Sequence, residues 1–353
     1  MRAAVFQDVD EPFEIAEVDE PECGPEDVVV ETEASGICRS DWHVWQGDWS
    51  WVGMLPQEGQ IFGHEPAGTV VETGEEVGSV EVGDQVTVPF NLSDGTCPHC
   101  RAGLSNICDN LVPLGFTPEA EGAWAERFRV PDADQNAVVL PDGVDPVDAA
   151  GLGCRFATSF HGVNHRADVE PGDWVAVHGC GGIGLSAVQI ANAAGANVIA
   201  VDLEDEKLDF AEQLGAVETV NAAEVDDPAG QAAMIAGGGC DVAVDALGIE
   251  TTCRNAMDSL GKRGTHLQLG LTTGEEEGEV PLPVDEMVFT ERDFVASFGM
   301  QPNRFDEIFE MMGSDKLDPS KIIGDTVALD DVPEVLESMS DFDTIGFPVI
   351  TEF

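Results

Sequence analysis

Positive charge is scarce in this chain. Lysine and arginine together number 15 in 353 residues, against 69 aspartates and glutamates, for a formal net charge of −54. Only four of the cations are lysines: Lys207, Lys262, Lys316 and Lys321. A polyanion with no basic patch repels nucleic-acid phosphates and anionic lipid surfaces, so neither is expected as a partner. Acidic blocks are missing too. The longest runs are three residues, Glu204–Glu206 and Glu275–Glu277, which does not suit a nucleic-acid mimic. Behind Met1 the chain meets acids at once and offers no apolar segment, so no signal peptide and a cytoplasmic location are expected. Internal repeats and low-complexity segments are also absent. The one stretch free of Asp, Glu, Lys and Arg, Trp174 to Val201, contains five glycines with Gln189, Asn192 and Asn197. That reads as strand, turn, helix and strand inside a globular sheet, not as a membrane span.

What is present is enough apolar material, 43% of residues, for packed cores, in a chain long enough for two domains. The acids are dispersed at roughly one excess negative charge per six or seven residues. Such a surface repels itself unless counterions screen it, and the Debye length falls from about 10 Å at 0.1 M salt to about 3 Å at 1 M. The expectation is a protein adapted to a salt-accumulating cytoplasm. Nine cysteines, an odd number in a reducing compartment, suggest metal ligands before disulfides.

The first third is β-rich. Val28–Val30, Gly68–Val71 and Gln85–Val88 are short runs separated by Gly, Pro and acidic turns. From about Gly172 the rhythm becomes strand then helix. Strands are expected at Asp173–His178, Asn197–Asp202, Asp241–Asp245 and Thr265–Leu269, with helices at Ile183–Ala194, Glu206–Leu214 and Thr251–Leu260. That alternation implies βαβ units and a parallel sheet. A last helix, Arg304–Met312, and a strand near Val349 close the chain.

Three constellations carry chemistry. The first is Gly179-Cys180-Gly181-Gly182-Ile183-Gly184, a G-x-G-x-x-G that follows a strand and opens a helix. Gly179 allows the tight turn, Gly181 the approach of a pyrophosphate to the backbone, and Gly184 close helix packing, while the helix N-terminus favours anions. Asp202 ends the next strand, placed to accept both hydroxyls of an adenosine ribose. This favours NAD over NADP; Lys207, at the start of the next helix, is expected to contact the ribose, and dual use is left open. The second is a dispersed set: Cys38, His64 and Cys154, two thiols and an imidazole that suit a zinc ion with one position open. The third, Asp94-x₂-Cys97-x₂-Cys100-x₇-Cys108, has the spacing of a closed structural zinc site, with a metal-free loop as the alternative.

With these residues the chain resembles the zinc-dependent alcohol dehydrogenases of the medium-chain dehydrogenase/reductase superfamily over nearly its full length. The resemblance implies an α/β protein: a GroES-like β-rich catalytic domain over 1–155 and 298–353, interrupted by a doubly wound Rossmann domain over 156–297. It further implies that Cys38, His64 and Cys154 hold a catalytic zinc, with Glu65 as the acid behind it. Asp41 would fix the tautomer of His64, and Ser40 and His43 would relay the proton. Arg39 would meet the pyrophosphate, and Asp94, Cys97, Cys100 and Cys108 would hold a structural zinc. Trp49 and Phe90 match pocket positions and suggest small or medium alcohols oxidised to aldehydes or ketones, whereas Trp45 and Trp51 read as core. A homo-tetramer is expected by analogy, a homo-dimer being the alternative. Two departures stand out: Asp94 replaces the usual cysteine, and Phe347 follows Gly346 where many members carry a cation. Rival readings are a polyol or sugar dehydrogenase of the same superfamily, against which the Cys154 thiol speaks, and a non-catalytic nucleotide-binding or redox-sensing protein, against which the Ser40/His43 relay speaks.

Overall fold

Val28, Val29 and Val30 are all buried, Glu31 is the first exposed residue after them, and the strand they open, Val28–Gly36, organises the first part of the molecule. A computed structural model describes residues 1–341 and 344–353. It divides into two units: Met1–Ala157 with Gly299–Ser314 and Asp318–Phe353, and Thr158–Phe298 with Asp315–Leu317.

In the first unit, Val28–Gly36 pairs antiparallel with Pro66–Thr73, Arg127–Val130 and Phe347–Glu352. The sheet continues through Gln85–Thr87 to Val138–Val139 on one side and to Ile323–Ala328 on the other. C-terminal residues therefore complete a sheet begun near the N-terminus. Two cores form around it. One is aromatic, with Phe6 stacked on Phe62 at 5.5 Å and Phe13 edge-on to Trp124 at 5.4 Å, geometries that favour the ring quadrupoles. The other is mainly aliphatic, with Val28, Val30, Val70, Val86, Val88 and Leu114 fully buried. Trp45 belongs to the aromatic core and donates to the Glu11 carbonyl at 2.7 Å. Trp51 does not, contrary to expectation: it sits 41% exposed on the short helical turn Ser50–Val52, which ends at Gly53 in a left-handed conformation.

The second unit is a six-stranded parallel sheet in the order Ala216–Asn221, Asn197–Asp202, Trp174–His178, Cys240–Asp245, Leu260–Gln268, Asp293–Ala296. The strand order reverses between Trp174–His178 and Cys240–Asp245, the point where ligands bind in doubly wound sheets. Its central strands are mostly apolar, as suits a sheet covered on both faces by helices; Val175, Val177, Val198, Ile199 and Val244 have no exposed surface. The charge-free stretch supplies a strand, the helix Gly182–Ala194 and a second strand, and no helix among the described residues is long and apolar enough to cross a membrane. Two strands, Ala216–Asn221 and Asp293–Ala296, and two helices, Pro228–Ile235 and Val284–Thr290, add to the elements expected from sequence. The helix expected to end at Leu260 stops at Ser259: Leu260 turns extended (ψ 142°), is buried and pairs with Cys240.

Candidate active site

Cys38 precedes the short helix Arg39–Trp45, His64 and Glu65 enter the Pro66–Thr73 strand, and Cys154 lies in a wide, π-type helical turn, Leu152–Phe156. Such turns concentrate at functional sites. Although these segments are 26 to 116 residues apart, the donor atoms of Cys38, His64, Glu65 and Cys154 all lie within 4.8 Å of one another, and all four residues are buried. Asp41 orders the group from both sides. One carboxylate oxygen accepts the Cys38 N–H at 2.8 Å and the other takes the His64 Nδ1 hydrogen at 2.9 Å. The ring's Nε2 is left as a buried nitrogen with no hydrogen-bond partner. A buried imidazole whose far nitrogen is fixed by a carboxylate and whose near nitrogen is unpaired between two thiols is the donor set of a zinc ion. The residues fit that metal. Hydrogen bonding from Cys154 outweighs burial and, with the Arg155 guanidinium nearby, holds the Cys38 thiol well below its ordinary value, while Cys154 is pushed the other way. Burial alone would lower His64, but the Asp41 carboxylate holds it well above its ordinary value.

Ser40 is half-buried on the same helix. Three residues on, His43 stacks on Trp49 at 5.2 Å and places Nδ1 2.7 Å from the Asp48 carboxylate. Burial lowers the His43 pKa and Arg39 adds to this, while Asp48 works against both. Phe90 is edge-on to the His64 ring at 6.2 Å, so both aromatics expected at the pocket adjoin site residues. Arg39 donates to the Met339 carbonyl, its guanidinium lies 3.8 Å over the Trp42 ring, and burial lowers its pKa to about 10.

Cys97, Cys100 and Cys108 form the other cluster of donors among the described residues. Backbone N–H groups of Asp109 and Cys100 lower Cys97 to about 7, whereas desolvation and the neighbouring thiols push Cys100 up to about 12. Asp94 stands outside the mutual set. Its Oδ1 accepts from the Cys108 thiol at 3.4 Å, and the carboxylate also takes the Thr96 N–H and hydroxyl and the Asn110 amide. Three thiols with a carboxylate alongside still suit zinc in donor chemistry.

The glycine-rich turn has the expected spatial constraints. Gly179 is left-handed (φ 94°), and a Cβ there would lie 1.9 Å from Leu247; a Cβ on Gly184 would lie 1.8 Å from the Gly179 carbonyl. At Gly181, which caps Gly182–Ala194, a Cβ would meet nothing within 4 Å, leaving open the cradle a pyrophosphate needs. Ile183 forms the first turn of that helix, and its carbonyl accepts from Ser159. Asp202 ends its strand as expected, accepting the N–H groups of Cys180 at 2.6 Å and Leu203 at 2.8 Å. Lys207 Nζ pairs with Glu204 at 2.9 Å.

Two residues escaped the sequence reading. Asp48 is the partner of His43; a carboxylate five residues on gives no local signal. Arg155 is buried, with its Nε 2.9 Å from Glu65 Oε1 and its Nη2 on Oε2. Its partner lies 90 residues away in sequence, so the sequence carries no local signal for it either.

Comparison with known proteins agrees with this geometry. The pattern of the alcohol dehydrogenase GroES-like domain matches residues 24–142, and that of the zinc-binding dehydrogenase domain matches residues 182–314. An alcohol dehydrogenase of Geobacillus stearothermophilus is 33% identical over 340 residues, 96% of this chain and 95% of that protein. An alcohol dehydrogenase from Thermus sp. ATN1 superposes with a TM-score of 0.90 over 100% of both chains at 28% identity. A structure described as an NAD-dependent alcohol dehydrogenase superposes with a TM-score of 0.89, likewise over 100% of both chains, at 28% identity.

Proposed function

The chain belongs to the zinc-containing alcohol dehydrogenases of the medium-chain dehydrogenase/reductase superfamily, and on that premise we propose how its own residues carry the reaction. It is an oxidoreductase that uses zinc and a nicotinamide cofactor. Once bound, zinc supplies a Lewis acid that makes an alcohol proton more acidic, and the nicotinamide supplies the hydride acceptor. Cys38, His64 and Cys154 hold the metal, and Asp41 holds the imidazole with Nε2 free to ligate. The observation that carries this reading is the buried, unpaired Nε2 between two thiols.

Ser40 takes the alcohol proton and His43 passes it toward solvent, with Asp48 keeping the ring's outer nitrogen protonated so that Nε2 is the acceptor. Trp49 and Phe90 exclude water and give the substrate an apolar wall, which suits small and medium alcohols. Gly179, Gly181, Gly182, Ile183 and Gly184 cradle the pyrophosphate, and Arg39 supplies the cation for it. Asp202 takes the adenosine ribose of NAD, the N–H groups on its carboxylate holding its orientation. Lys207, whose Nζ pairs with Glu204 at 2.9 Å, contacts the ribose, and NADP stays as the alternative cofactor. Asp94 is the fourth ligand of a structural zinc with Cys97, Cys100 and Cys108.

The catalytic domain is taken as 1–155 with 298–353 and the dinucleotide domain as 156–297. The −54 charge supports a salt-adapted, halophilic, cytoplasmic enzyme. Asp293–Ala296 is an edge strand, and the helix before it exposes Val288 (68%) and Phe289 (83%), which supports a homo-oligomer, taken as a tetramer. Zinc content measured together with NAD reduction on an alcohol panel in high salt tests the reading. A zinc-free chain that reduces NAD equally well would refute it.

A further inference from the structure

We propose that Arg155 is a positioning residue that keeps the zinc site open by holding Glu65 out of the ligand set. The inference rests on the zinc reading above. Four donors, not three, converge there: the Cys38 and Cys154 thiols, the His64 nitrogen and a Glu65 oxygen all lie within 4.8 Å of one another. Two thiolates, an imidazole and a carboxylate make a complete tetrahedral set, and a zinc with four protein ligands is a structural site with no place for substrate. Residue types alone therefore do not decide between an open and a closed centre.

Arg155 decides it by occupying both carboxylate oxygens. Its Nε donates to Oε1 at 2.9 Å, its Nη2 donates to Oε2, and its backbone N–H donates to Oε1 at 3.1 Å. The planar guanidinium fork suits this two-oxygen grip, which an ammonium cannot reproduce. The clamp is itself fixed. Nη2 also donates to the Ile37 carbonyl at 3.1 Å, and the guanidinium carbon lies 3.8 Å from the centre of the Phe347 ring. That ring needs Gly151, where a Cβ would lie 2.3 Å from Phe347 Cζ. Glu65 in turn needs Gly36, where a Cβ would lie 2.6 Å from Oε2. Phe347, which stands where many members of the family carry a cation, thus seats the Arg155 guanidinium against its ring. Arg155 also follows Cys154 within one helical turn, so ligand and clamp move together.

The test uses the full-length, zinc-loaded protein in high salt and follows transfer to a chelating dye of the zinc that Cys154→Ala lacks. Arg155→Met frees the carboxylate, so this zinc should leave at least tenfold more slowly than from wild type. In cobalt-substituted protein, the visible spectrum that shifts with added azide in wild type should become insensitive to it. Arg155→Met with Glu65→Gln should restore both wild-type behaviours. Faster release from Arg155→Met, or a cobalt spectrum that still answers azide, overturns the proposal and leaves Arg155 as a buried counterion. If Arg155→Met does not fold, Glu65→Gln alone decides. Unchanged release supports a withheld carboxylate, and tenfold faster release shows that Glu65 already ligates. A wild-type chain with no zinc dependent on Cys154 would instead overturn the zinc reading beneath.

Discussion

Replacing Asp48 by asparagine removes one negative charge from the proton path while leaving an amide oxygen to accept the same His43 hydrogen. The contact is short, 2.7 Å, and the side chains are 16% and 30% exposed, so water screens it only in part. A hydrogen bond to a charged group contributes about 1.5–3 kcal/mol, and one pKa unit corresponds to about 1.4 kcal/mol. Even discounted for partial exposure, the carboxylate holds the His43 pKa up against burial. Burial and Arg39 already press it down, and the carboxylate is the main opposing group. Alcohol oxidation needs the neutral ring as proton acceptor, so the acid limb of kcat/KM should move to lower pH in Asp48→Asn. A direct NMR titration of the ring should show the same displacement. Asp48→Ala removes the acceptor as well, freeing the ring to change tautomer, and should lower kcat further at every pH. An acid limb that stays in place, or moves up, would refute the assignment of Asp48 to this role.

Three further outcomes are expected. Asp202→Gly should shift the ratio of kcat/KM values toward NADP by tenfold or more, about 1.4 kcal/mol, and an unchanged ratio would remove Asp202 from cofactor choice. Lowering salt from molar to about 0.1 M lengthens the Debye length roughly threefold and should lower Tm by roughly 10 °C, whereas a flat Tm would show locally compensated acids. Cys97→Ser should cost one zinc per chain and lower Tm while the zinc tied to Cys154 stays, and loss of both metals would show that the two sites are not independent.

The sequence was most legible where chemistry and local spacing coincide. Gly179 to Gly184 and Asp202 sit on consecutive elements of one βαβ unit, and Cys97 to Cys108 lie within a single loop, so spacing alone exposed them. Cys38, His64 and Cys154 needed the family resemblance, because no periodicity links residues that only the sheet brings together. Ala216–Asn221 was missed because Glu218 and a polar end dilute its apolar character, and Asp293–Ala296 because an edge strand need not be apolar on both faces. Trp51 shows the converse: an aromatic residue with no signal to distinguish a core position from an exposed turn. Arg155 and Asp48 were invisible because each is defined by its partner, one of them 90 residues away, and no residue-type pattern records such a pairing.

Cys154 is the decisive residue of the metal centre. Metal analysis of wild type and Cys154→Ala, run beside NAD reduction on an alcohol panel in high salt, addresses it most directly. Wild type should bind zinc at this site and form NADH, while Cys154→Ala should hold one zinc fewer per chain and lose nearly all turnover, yet still bind NAD through the untouched glycine-rich turn. A Cys154→Ala protein with wild-type zinc content and full turnover would contradict the assignment of Cys38, His64 and Cys154 as the catalytic metal centre.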